Sequence, residues 1–260
     1  MKRNKYKTGE NERGVEKTAE KRKPIISKNW AIFLAAVMFL FIVSFSIAVP
    51  IWFRPFYYMQ IGPLEIVENS DGFTREQVIT GFNQLMDYLN FGAPFAMGDF
   101  AYTESGKSHF EDCKVLFDLD TWVMLVSGAI LIVAFVLKKT NVIRADKLKG
   151  YDFYFYGGIL GICIPFVLGI IILIAPDAAF SAFHKIFFPG KENWNFNWNN
   201  DQIIRILPFQ FFMNCAALIG FLWLGLSAAA VIVARLKRKK EQNACELAKD
   251  EKNSGTGVSE

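Results

Sequence analysis

NWAIFLAAVMFLFIVSFSIAVPIWF, residues 29–53, runs for 25 positions without an Asp, Glu, Lys or Arg. A helix needs about 20 mostly apolar residues to cross the hydrocarbon core of a bilayer. Three more stretches share this property: residues 121–137, 153–176 and 206–234. Backbone amides in lipid must find their hydrogen bonds within their own segment, so each stretch is expected to be a transmembrane helix. The sequence Ser46-Ile47-Ala48 faintly resembles a cleavage site. However, the polar lead is longer than an ordinary n-region and the apolar run exceeds an h-region, so the first span is expected to stay as an anchor.

The loops set the orientation. Residues 1–28 carry ten Lys or Arg against four acids, and residues 138–152 carry five against two. The segment 235–260 opens with Arg235, Lys237, Arg238, Lys239 and Lys240. Residues 54–120 invert the balance, with four basic and eleven acidic side chains. The positive-inside rule therefore places 1–28, 138–152 and 235–260 in the cytoplasm. Residues 54–120 and 177–205 are placed outside. The net charge of +4 is accounted for by this asymmetry, so no nucleic-acid partner is expected. Residues 1–23 and 241–260 read as disordered tails whose basic blocks lie against anionic lipid. Only Cys113 of the four cysteines falls on the exterior, which excludes an internal disulfide there.

The expected fold is thus an α-helical integral membrane protein: four transmembrane helices under a small mixed α/β extracytoplasmic cap made by two insertions. Residues 57–67 (YYMQIGPLEIV) look β-prone. Thr74 and Gln77 form a capping box for a helix to about Asn90, with Val78, Phe82, Leu85, Met86 and Leu89 on one apolar stripe. Ser108 and Glu111 make a second box, so a helix should begin at His109. Asp177 to Phe188 reads as a short helix stopped by Pro189-Gly190, and Asp201 caps a further turn.

The chain has two histidines, His109 and His184. Each lies two or three helical turns from the outer end of a span, on the same side, so the cap can bring them together. A single histidine among aromatics is usually structural, but two at one membrane level suit proton transfer near neutral pH. Metal catalysis is not expected, because three-ligand spacing and H-E-x-x-H are missing. Haem would want histidines within facing spans, and a serine triad would want a G-x-S-x-G elbow. No cofactor is expected. Cys113, four residues from His109, shares its helix face and leaves a thiol nucleophile open. Trp194, Phe196 and Trp198 alternate with Asn residues, a surface suited to a lipid head group joined to a glyceryl ester. A non-catalytic membrane protein whose aromatic cap binds lipid or a protein partner is the alternative to an enzyme.

Two motifs resemble those of the lipoprotein intramolecular transacylases (Lit), a family of four-span bacterial membrane proteins. One is His109-Phe110-Glu111-Asp112-Cys113-Lys114, before the second span. The other is Phe183-His184-Lys185-Ile186-Phe187-Phe188, followed by Trp194, Phe196, Leu207, Pro208, Phe211 and Phe212. The likeness runs over about residues 29–236, and Cys113 departs from the family's usual Val. The resemblance implies transfer of the sn-2 acyl chain of a diacylglyceryl-cysteine lipoprotein onto its own N-terminal α-amine, giving a lyso-form lipoprotein. Diacylated lipoproteins and membrane lipids are then the partners. His109 and His184 would be catalytic, with His109 as base and His184 as proton donor or oxyanion stabiliser. Asp112, Lys114, Trp194, Phe196, Phe183 and Phe187 would bind substrate. A place in the first turn of its helix would keep His109 neutral.

Overall fold

The computed structural model describes residues 24–255. Its elements in chain order are β1 (Ile25–Ser27), α1 (Lys28–Trp52), α2 (Pro55–Tyr58), α3 (Arg75–Phe91), α4 (Glu104–Lys139), β2 (Ile143–Ala145), α5 (Phe153–Ile174), α6 (Pro176–Phe187) and α7 (Phe209–Gly255), with 3-10 turns at Glu68–Ser70 and Gln202–Arg205. Four of these helices, α1, α4, α5 and α7, are long and apolar enough to cross a membrane. Their outward faces carry large apolar side chains such as Trp122, Ile132, Phe166 and Leu173, as lipid contact requires.

Within the bundle, α5 and α7 approach closely because α5 presents small residues. A Cβ on Gly158 would sit 2.7 Å from the Ser227 carbonyl oxygen, and one on Gly161 would sit 2.1 Å from Ser227 Oγ. Without a hydrophobic driving force between helices in lipid, such backbone approach is a main source of their packing.

The two strands pair in parallel, Ile25 opposite Ile143, at the end of the bundle where α1 begins and α4 ends. Ser27 closes β1 and caps α1 by accepting from Trp30 N at 3.1 Å. Among the described residues this is the only sheet, and it lies opposite the cap. The strand expected over 57–67 is therefore corrected. Pro55 opens a helical turn there, and Gly62-Pro63 interrupts any ladder, since proline has no N–H to donate. The segment instead folds in turns that bury Ile61 and Ile66. A second correction falls at the other terminus. Residues expected to be disordered from 241 onward continue α7 to Gly255, as the Ala, Glu, Leu and Lys content of 241–251 favours, and Lys147 pairs with Glu241. The expectation for residues 1–23 lies outside the described residues, as does that for 256–260.

The cap core is built on α3. Thr74 accepts from Gln77 N and the Gln77 side chain from Thr74 N, completing the capping box, and Gly92 ends the helix at φ +68°. All five stripe residues from Val78 to Leu89 are buried. Tyr57 stacks on Phe82 with ring centroids 3.8 Å apart, and its hydroxyl donates to the Ile206 carbonyl at 2.8 Å. That bond ties the first insertion to the approach of α7. Replacing Tyr57 with Phe leaves a buried carbonyl without its donor, which should cost about 1–3 kcal/mol. Thermal unfolding in detergent should show a lower midpoint, and an unchanged midpoint would mean that the bond does not hold the two segments together.

Candidate active site

Helix α4 begins five residues earlier than the Ser108 box suggests. Thr103 is the cap, accepting from Gly106 N at 3.0 Å. The reason lies in the other insertion. Asp201 accepts from Thr103 N at 2.8 Å, from Thr103 Oγ1 at 2.7 Å and from Asn197 N at 3.1 Å. Ala101 and Gln202 exchange two further bonds, of 2.8 and 2.9 Å. Gly106 permits this docking, for a Cβ there would lie 2.4 Å from Asp201 Oδ1. Asp201 thus pins α4 to the loop, and makes no side-chain cap of its own turn.

His109 consequently sits in the second turn of α4, so the helix-terminus argument for its neutrality is corrected. Burial does the work instead. His109 is 5% exposed, against Phe188 at 5.0 Å and Phe196 at 5.4 Å between ring centroids. His184 comes from α6, which starts at Pro176 after the break at Ala175. Its Nδ1 lies 2.8 Å from the Phe180 carbonyl, which can only accept, so Nδ1 carries the hydrogen and Nε2 is left to exchange protons. Phe180 and Trp194 flank this ring at 4.2 and 4.9 Å. The two imidazoles stand 5.7 Å apart.

Burial, then His184, lowers the His109 pKa to about 4, against the opposing pull of Asp112. Burial also lowers that of His184, partly offset by the Phe180 carbonyl. Asp112 is pushed up by burial, but Lys191 and Asn193 outweigh this and hold it below its ordinary value. Burial, with Asp112, pushes the Cys113 thiol up to about 12, so it stays protonated although its Sγ lies 3.4 Å from His109 Nε2. A thiolate nucleophile is disfavoured on that ground.

Both histidines line one apolar cavity of about 620 Å³, within the range of small-molecule sites. It runs from the imidazoles and Trp194, Phe196 and Phe183 to Ile47 on α1, Ile172 on α5 and Ile219 on α7. Phe187 packs on Phe183 outside this wall. Asp112 faces away to Lys191 and Asn193. Lys114 turns to Asp118 and the Leu89 carbonyl over the Tyr88 ring, so it contacts neither Asp112 nor the cavity. Among the described residues no three His, Cys, Asp or Glu side chains group as metal ligands. Sequence reasoning missed Phe180, Phe188 and Asn193, because a helix-internal Phe and a loop Asn look like packing and turn residues until the fold aims them at an imidazole.

Fold and site together define an integral-membrane protein with an apolar cavity lined by a buried pair of imidazoles. The family model described as lipoprotein intramolecular transacylase Lit matches residues 32–212, and the chain belongs to that family. Among solved structures it is similar to the membrane-integral lipoprotein intramolecular transacylase Lit from Bacillus cereus. Identity is 25%, covering 83% of this chain and 97% of that one, with a TM-score of 0.71. A histidine-to-alanine variant of that enzyme shares the fold, at 24% identity, 83% and 95% coverage and a TM-score of 0.65. The comparison with curated proteins found no match. The protein is thus a multi-pass membrane acyltransferase that acts on lipoproteins.

Because its folded pKa is lowered, His109 refuses a proton that the unfolded chain accepts below about pH 6.5. Its imidazole signals should therefore stay fixed between about pH 7 and pH 5, while stability declines as pH falls through that window. A titration of the His109 ring near its ordinary midpoint would contradict the burial account.

Proposed function

We propose that the protein moves the sn-2 acyl chain of a diacylglyceryl-cysteine lipoprotein to the α-amine of that same cysteine, with His109 and His184 as the acid–base pair. The observation that carries this reading is two buried imidazoles, 5.7 Å apart, lining one apolar cavity. The amine nitrogen attacks the ester carbonyl, forming the N–C bond, and the C–O bond to the glyceryl oxygen then breaks. His109 takes the proton that the amine loses. His184, protonated at Nε2, gives one to the leaving oxygen, and a proton passing from His109 to His184 resets the pair. Repulsion between two adjacent imidazoliums favours one shared proton.

Amine and ester belong to a single substrate, so no covalent enzyme intermediate is needed, and holding the two groups together supplies much of the rate. Trp194, Phe196 and Phe183 form walls that hold an acyl chain and keep out water, which would otherwise hydrolyse the ester. Asp112 acts through its loop partners, whereas Lys114 and Phe187 have no place in the cavity wall. The Lys and Arg distribution supports cytoplasmic termini and an extracytoplasmic site, where the lipid-modified end of a lipoprotein resides.

With purified protein and a diacylglyceryl-cysteine peptide, His109→Asn and His184→Asn should each lower the rate by about 10²–10⁴. The double variant should be little slower than either, since residues acting in one step are not additive. Cys113→Val should keep its activity. A folded Cys113→Val protein that forms no product would replace this scheme with a thiol acyl-enzyme.

A further inference from the structure

Two buried polar atoms near the site lack a hydrogen bond of full geometry, His109 Nδ1 and Asn193 Oδ1. They belong together. The Asn193 amide nitrogen donates to Asp112 Oδ2 at 2.9 Å, with Ser108 Oγ at 3.4 Å. Ser108 and Asp112 flank His109 on α4, so this amide lies over the His109 side of the helix. A carboxylate can only accept, which fixes the amide with its nitrogen toward Asp112 and its oxygen free. Lys191 pairs with the same carboxylate and keeps it ionised. The charged and titratable groups around the His109 ring are then Asp112 and Cys113 on α4, His184 on α6 and Lys191 on the loop.

We propose that Asn193 is a positioning residue whose amide oxygen accepts Nδ1–H of His109, so that the imidazole keeps its proton there and presents a bare Nε2 as the base. Which ring nitrogen holds the proton is set by the bond made by the other. At Nε2 stands the Cys113 thiol, 3.4 Å away, a weak donor that a substrate amine displaces. The Asn193 contact also raises the basicity of a ring that burial has made a poor proton acceptor. Asn193 and Lys191 come from the second insertion while His109 comes from the first, so the base is set only when the loop is docked. The catalytic consequence rests on the transacylase reading, but the tautomer does not.

The chain has only two histidines, so His184→Asn leaves His109 as the sole imidazole in a tag-free protein. Long-range proton–nitrogen correlation of the histidine-labelled protein in micelles at neutral pH reads its tautomer directly. The expected form is Nδ1–H. Adding Asn193→Leu should yield a mixture with Nε2–H. Adding Asn193→Asp instead should keep Nδ1–H and move the ring's titration to higher pH, a response that loss of packing would not produce. In the otherwise native enzyme, Asn193→Leu should lower kcat by about 10²-fold with KM nearly unchanged. An Nε2–H tautomer in the His184→Asn protein, or a tautomer indifferent to Asn193→Leu, overturns the proposal. Proteins that show the expected tautomers yet never acylate an amine support the contact and sink the transacylase reading alone.

Discussion

A single buried carboxylate holds the two insertions in register. Asp201, 3% exposed, takes three hydrogen bonds, two of them from Thr103 at the start of α4, about a hundred residues earlier in the chain. Buried carboxylates are tolerated only when so satisfied. The contact does two things at once. It starts α4 early enough that one helix runs unbroken from the cap to Lys139, and it brings the loop carrying Lys191, Asn193, Trp194 and Phe196 over the second turn of that helix. Gly106 is the small residue that allows the approach, since any side chain there would collide with Asp201 and Phe196.

From that docking the electrostatics of the site follow. Aromatic rings close over His109 and His184 and remove the water that would stabilise an imidazolium, so neutral imidazole is the resting form of His109. In the mechanism proposed above, the walls that lower its basicity would also exclude water from the ester, so a dry pocket would protect the reaction while weakening its base. Asp112 and Asn193 act in the opposite sense to burial on His109, while neither lines the cavity, which stays apolar. Catalytic groups whose environments are tuned from two sides in this way are common where proton transfer must run near neutral pH.

Much of this was legible in the amino-acid order. Long charge-free runs leave little freedom in lipid, and all four became helices. The Thr74–Gln77 box and the stripe from Val78 to Leu89 were readable because both are local patterns. Two lone histidines at one membrane level left the cap able to bring them together, and it does. What escaped was decided by distant contacts. Residues 57–67 have β-prone side chains, yet no strand is available to pair with them, so they turn and bury Ile61 and Ile66. Two caps competed for α4, and Thr103 won because Asp201 completes it from the other insertion. Asp112, expected to bind substrate, is turned instead to Lys191 and Asn193, partners that no spacing rule links to it.

The central claim, that one molecule's own ester supplies its own amine, has a direct signature. Intramolecular transfer leaves the mass of the lipoprotein's N-terminal peptide unchanged and alters only where the acyl chains sit. The decisive measurement is expression of this chain in a bacterium that does not N-acylate its lipoproteins, followed by tandem mass spectrometry of their N-terminal peptides. The account predicts a peptide of unchanged mass whose fragments place one acyl chain on the α-amine and one on the glyceryl group. A free α-amine with both chains still on the glyceryl group would contradict it, as would a peptide heavier or lighter by one acyl chain.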